Sequence, residues 1–345
     1  MNRILEFVIS VVIVAVLFVL IGVILPSHAH VERNVELANP VSQVFDVLNG
    51  FRRYNAWQPW AGIDPNAKYS TEGPAFGVGA KINWESWEKQ IGKGSLEIVE
   101  SQAGDSIKQA LSNEWYGENK TYNFKLEPNQ QTRATNLVWT LDVDYGWNLF
   151  GRYAGMYLNG SVGELMSAGL SRLANMMAAM PVVDYSQIEI QLVDVEAVDL
   201  VAAGAGVPAA PRMWDEAETQ MSKAWTDAEA FIKKNKLTST GPGRRITNVL
   251  GEDNNDYDMA LPVQPAEVQP VGNVQFKKSY GGKALVTEFH GHRVAMGKPR
   301  DMLKAYAMTH GYRFPGDMTG LWEEWLPDTD EQGLSVTRIY LPVTL

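Results

Sequence analysis

From Phe7 to Leu25 the chain reads FVISVVIVAVLFVLIGVIL, an uncharged apolar run of 19 residues. At a helical rise of about 1.5 Å per residue such a run crosses a hydrocarbon core. Arg3 stands on its short N-terminal side, and Pro26 ends the helix because proline lacks an amide hydrogen and clashes with the preceding turn. A cleaved signal peptide is the rival reading. Its apolar region usually spans only about 7–15 residues and precedes a small-x-small cleavage site. Here the run is longer, and Ser27-His28-Ala29 is a poor site. The sequence therefore predicts a retained transmembrane helix over residues 4–26, with Arg3 inside and everything after it outside.

The remaining 300 or so residues are globular in composition, with 45% hydrophobic and 20% charged residues over the whole chain. Forty acidic side chains face 30 basic ones, and no segment is basic, which argues against a nucleic-acid partner. There is no cysteine, so disulfide scaffolds, thiolate metal sites and cysteine nucleophiles are excluded.

A first soluble unit is expected over residues 31–180. VERNVEL alternates like a strand, and VSQVFDVLNGF puts Val41, Val44, Phe45 and Leu48 on one helical face. Short aromatic strands follow between turn residues. A long helical stretch from Asn148 to Met180 closes the unit, with apolar residues from Met156 to Met177 at mixed 3- and 4-residue spacing. One long helix on a run of antiparallel strands is an α+β arrangement with a cavity between the layers.

LPSHAHVERNVELANPVSQVFDVL, AWQPW at Ala56–Trp60, YSTEGPAFGVGAKINWES at Tyr69–Ser86 and IGKGSLEI at Ile91–Ile98 resemble the START-like superfamily, also called SRPBCC, which includes the polyketide cyclases. The resemblance is strongest to its membrane-anchored bacterial members. It implies a helix-grip fold around a hydrophobic ligand cavity. Seven of the 11 tryptophans lie between Trp57 and Trp147. Each one alone is readily explained as sheet packing. As a cluster, Trp57, Trp60, Trp84, Trp115 and Trp139 are expected to line that cavity. No histidine follows His30 in this unit, and no carboxylate pair has a spacing that demands acid–base work.

The second unit, residues 186–345, contains an internal repeat over about 186–263 and 273–345. The endings MALPV and IYLPV align without a gap about 80 residues apart, and each half reads β-α-β-β. In the first half Trp214, Met221, Trp225, Ala228 and Ile232 form one helical stripe; in the second, Met302, Leu303, Tyr306 and Ala307 form another. ALVTEFHGHRVAMGKPRDMLKAY and LWEEWLPDTDEQGLSVTRIYLPV resemble the GyrI-like small-molecule-binding domain, the effector-binding domain of AraC- and MerR-type regulators. The resemblance implies a groove with an acidic residue on a tryptophan-glutamate-x-aromatic strand. That pattern falls on Trp322, Glu323 and Trp325, with Tyr306 as a groove-facing aromatic. Adjacent strand residues point to opposite faces, so Glu324 is the competing choice. This sequence carries Gly291-His292 where the family commonly has glycine-proline.

His290 and His292 share a strand face but have no third ligand nearby, and Ala203-Gly-Ala-Gly206 lacks the third glycine of a dinucleotide loop. Neither a metal nor a cofactor is expected. The regulator reading fails, since there is no basic helical pair. The combined expectation is a bacterial inner-membrane protein, single-pass, with two periplasmic units that bind a small hydrophobic, aromatic or cationic ligand. The alternative is a hydrolase or cyclase acting on a small electrophile, with Glu323 as general base.

Overall fold

The computed structural model describes residues 2–60, 62–129, 131–132, 134–208, 214–251, 253–329 and 334–344. The chain divides into two compact units, Met1–Val182 and Val183–Leu345. It is a mixed α+β protein with a long N-terminal apolar helix and two antiparallel sheets.

In the first unit the apolar run forms helix α1 (Asn2–Ile24), long and apolar enough to cross a membrane, with nearly all of its side chains exposed. Strand β1 (His28–Leu37) follows, then α2 (Val41–Leu48) and the single turn α3 (Tyr54–Trp57). Six further strands are β2 (Lys68–Glu72), β3 (Lys81–Glu85), β4 (Lys93–Gln102), β5 (Ser106–Asn113), β6 (Glu118–Pro128) and β7 (Thr135–Asp144). The sheet order is β1-β7-β6-β5-β4-β3-β2, so the first and last strands pair, from His28↔Asp144 to Leu37↔Thr135.

Strict alternation on β7 explains which face is covered: Thr135, Leu137, Trp139, Leu141 and Val143 are buried and the residues between them are not. The cover is α4 (Leu149–Ala178), started by Asn148, whose side-chain oxygen accepts from the Gly151 amide at 2.9 Å. Val162, Met166, Leu170, Leu173 and Met177 form its buried stripe. Gly169 lets it approach closely. A Cβ there would sit 3.3 Å from the Trp139 ring and 3.4 Å from the Trp57 carbonyl. The first turns of α4 behave differently from the expected apolar stripe, because Phe150, Met156 and Tyr157 are exposed.

The second unit contains β8 (Gln191–Val195), β9 (Asp199–Pro208), α5 (Trp214–Lys234), β10 (Arg244–Leu250) and β11 (Asn254–Val263). It continues with β12 (Val274–Lys278), β13 (Gly282–His290), α6 (Gly297–Thr309), β14 (Trp322–Thr329) and β15 (Ser335–Pro342). Each half has two strands before its helix, where the sequence suggested one. The reason is long-range pairing: β8 pairs with β13 of the other half, and β12 pairs with β9. The order β12-β9-β11-β10-β14-β15-β13-β8 reads symmetrically about the β10–β14 seam. Ala224, Ala228 and Phe231 of α5 pack on Val201, Ala203 and Met259, while Leu303 and Ala307 of α6 pack on Leu285, Ile339 and Leu341. The side chain of Trp214, expected on the α5 stripe, lies outside the described residues, as do residues 330–333.

Candidate functional site

The β10–β14 seam carries two layers of charge. Its register pairs Arg245 with Glu323 and Arg244 with Glu324, so the two pairs point to opposite faces of the sheet.

Glu323 points to the helix-covered face and is 1% exposed. One carboxylate oxygen accepts from Arg300 Nε (2.7 Å) and Nη2 (2.5 Å), and the other accepts from Arg245 Nη2 (2.5 Å). Arg300 comes from α6; Arg245 also contacts Met221 of α5 and lies over the Tyr257 ring. Burial works against the Arg300 charge, but the Glu323 carboxylate more than offsets it and raises the Arg300 pKa. Glu323, the acidic residue expected in the groove, therefore has both carboxylate oxygens accepting from guanidiniums in this structure. Trp325 shares this face and packs on Trp225 at 5.3 Å. Tyr306 stacks on His310 and meets Tyr185 edge-on at 5.4 Å.

Glu324 and Trp322 point the other way. Glu324 pairs with Arg244 at 2.9 Å, and both are largely buried. Trp322 stacks flat on Tyr340, with ring centroids 4.6 Å apart and planes 6° apart, and Arg244 lies over the Trp322 ring at 5.8 Å. Burial first, then the Glu324 charge, raises the Tyr340 pKa. Arg244, Glu324, Arg338 and Tyr340 line a cavity of about 1090 Å³, a size suited to small ligands. Val193, Val195, Val198, Val286 and Phe289 supply apolar wall, and His290 lies on the rim. Five carboxylates (Glu189, Asp194, Glu196, Glu288, Glu324) line it against two guanidiniums, and the Lys283 ammonium pairs with Asp194 at 3.1 Å, which leaves a formal excess of two negative charges. The sequence reading missed Arg244, Arg338 and Tyr340, because nothing local marks a residue whose partner lies on another strand.

The tryptophans of the first unit meet one another. Trp139 contacts Trp57 (5.9 Å), Phe124 (5.2 Å) and Tyr122 (5.1 Å), and Trp57 meets Tyr54 edge-on at 5.3 Å. Trp60 contacts Trp84 (5.7 Å) and the half-buried Trp115 (6.2 Å). The Trp84 indole donates to the Ile91 carbonyl at 3.4 Å. Tyr54 Oη, Trp57 Nε1, Trp60 Nε1, Tyr122 Oη and Trp139 Nε1 are buried with no hydrogen-bond partner among the described residues. Burial raises both tyrosine pKa values, and the Tyr122 phenol further disfavours ionisation of Tyr54.

No protein-family profile and no curated protein matches this chain. Solved structures resemble it over just under half its length. The crystal structure of the EcmrR C-terminal domain is 14% identical, covers 46% of this chain and 98% of its own, and has a TM-score of 0.38. A solution structure from Thermobifida fusca is 18% identical over 43% of this chain and 93% of its own, with a TM-score of 0.35. The Aha1 dimer from Colwellia psychrerythraea is 11% identical over 44% and 96%, with a TM-score of 0.30. At these values the site's chemistry has to be argued from its own residues.

Proposed function

We propose that this chain is a membrane-anchored binding protein for a small lipophilic cation, held in the cavity of the second unit. The observation that carries the reading is the acid excess around a cavity of about 1090 Å³ with mixed apolar and aromatic walls. An excess of one sign in a low-dielectric cleft concentrates ligands of the other sign. Tyr340, backed by Trp322, lines the cavity, and the face of an aromatic ring attracts a cation. In this reading Glu324 takes the role that the sequence suggested for Glu323. α1 spans the bacterial inner membrane, and a START-like unit and a GyrI-like unit stand on its periplasmic side. The unpartnered indole and phenol groups of the first unit favour a second binding place there, for an apolar ligand that carries hydrogen-bond acceptors.

The test is calorimetric titration of tetraphenylphosphonium into soluble protein comprising residues 31–345. Glu324→Gln should weaken binding at least tenfold, about 1.4 kcal/mol. Unchanged affinity in a folded variant would remove the cation reading.

A further inference from the structure

The exposed aromatic side chains of the first unit are not scattered. Outside α1 they are Trp87, Tyr116, Trp147, Phe150 and Tyr157. Strand pairing places the first three at one end of the sheet, and Phe150 lies in the first turn of α4, which starts there. His28 pairs with Asp144, Asp144 with Glu118, and Glu85 with Lys93. The β3–β4 turn with Trp87, the β5–β6 turn with Tyr116 and the β7–α4 turn with Trp147 therefore lie at the end where α1 hands over to β1. Among the described residues, the turns that join strands at the opposite end expose one large apolar side chain, Val78, and the segment after α4 exposes Val182.

Direct contacts fix the depth of this rim along α1. Phe18 stacks on Tyr153 at 4.6 Å and meets Phe150 at 5.1 Å, and the Tyr153 hydroxyl donates to the Phe18 carbonyl at 2.9 Å. Phe18 lies six residues before the end of α1, about 9 Å along its axis. The Arg152 guanidinium donates to the carbonyls of Gly22, Val23 and Leu25, capping that helix end, and lies 5.5 Å from the Trp147 ring. Arg152 is the sole charged residue from Leu149 to Gly163, and it is buried. An aromatic-bearing helix start whose single charge is buried against the last turn of an apolar helix matches the interfacial belt of membrane proteins.

We propose that the first unit rests on the bilayer through this rim. Phe150 and Tyr153 enter the outer hydrocarbon beside α1, and Trp87, Tyr116 and Trp147 sit at the lipid headgroup boundary. The proposal rests on α1 spanning the membrane. The absence of cysteine from the sequence allows single labels. Val14→Cys, Trp87→Cys, Tyr116→Cys, Phe150→Cys and Val78→Cys would each be given an environment-sensitive fluorophore. The full chain would then be placed in phosphatidylcholine–phosphatidylglycerol vesicles containing spin-labelled lipid. The labels at 14, 87, 116 and 150 should shift to the blue and be quenched, and the label at 78 should behave as in water. All five positions are exposed, so the substitutions leave the core intact. If 14 is quenched while 87, 116 and 150 match 78, the rim is refuted and the anchor stands. If 14 is itself in water, the span and the rim both fall.

Discussion

The interior of the first unit and the seam of the second solve burial in opposite ways. The first packs rings on rings around Trp139, without an ion pair among the buried residues named there, and leaves five indole and phenol polar atoms unpartnered among the described residues. The second buries carboxylates on both faces of one sheet and gives each a guanidinium, although Arg244 Nε and Arg245 Nε have no hydrogen-bond partner among the described residues. Removing the opposite charge from a buried ion is costly, whereas an indole or phenol left unpaired costs far less. Perturbation should therefore separate the two regions by the size of its effect.

The largest difference is expected at Glu323. Glu323→Gln leaves two buried guanidiniums facing a neutral amide and should destabilise the second unit by about 3–5 kcal/mol. Urea unfolding monitored by probes in that unit would measure it. A change below about 1 kcal/mol would mean that the triad is hydrated and that the contrast is overstated. The counterpart is Tyr122→Phe, which deletes a buried hydroxyl that has no partner among the described residues. Stability of the first unit should stay within about 1 kcal/mol or rise. A loss of more than about 2 kcal/mol would show that the hydroxyl has an acceptor.

Much of this organisation was legible in the sequence. Alternation in VERNVEL located a strand that lies within β1, and the apolar run at Phe7–Leu25 located α1. The extra strand in each repeat was not legible, because β8 and β12 owe their existence to partners in the other half. The alternation rule placed Glu323 and Glu324 on opposite faces but could not say which face the helices cover. Arg245 and Arg300 decide that, and they lie 78 and 23 positions from Glu323. Tryptophan density likewise announced an aromatic interior, but composition does not distinguish rings that line a space from rings that fill one.

A smaller effect belongs to the exposed ion pairs. His30 Nδ1 lies 2.7 Å from Asp142, and that hydrogen bond, opposed by slight burial and helped by the carboxylate charges of Asp142 and Glu32, raises the His30 pKa. A histidine pKa raised on folding adds stability that is complete below about pH 6.5 and fades as pH climbs through the folded-state value. Asp142→Asn should return the imidazole titration, followed by NMR, towards its ordinary value. No movement would assign the shift elsewhere.

Charge selection at the second unit's cavity can be isolated from size and greasiness by using two ions of nearly the same shape. Soluble protein comprising residues 31–345 should bind tetraphenylphosphonium and show much weaker binding of tetraphenylborate, and Glu324→Gln should narrow that gap by at least tenfold, about 1.4 kcal/mol. Equal binding of the two ions, or preference for the anion, would contradict the account.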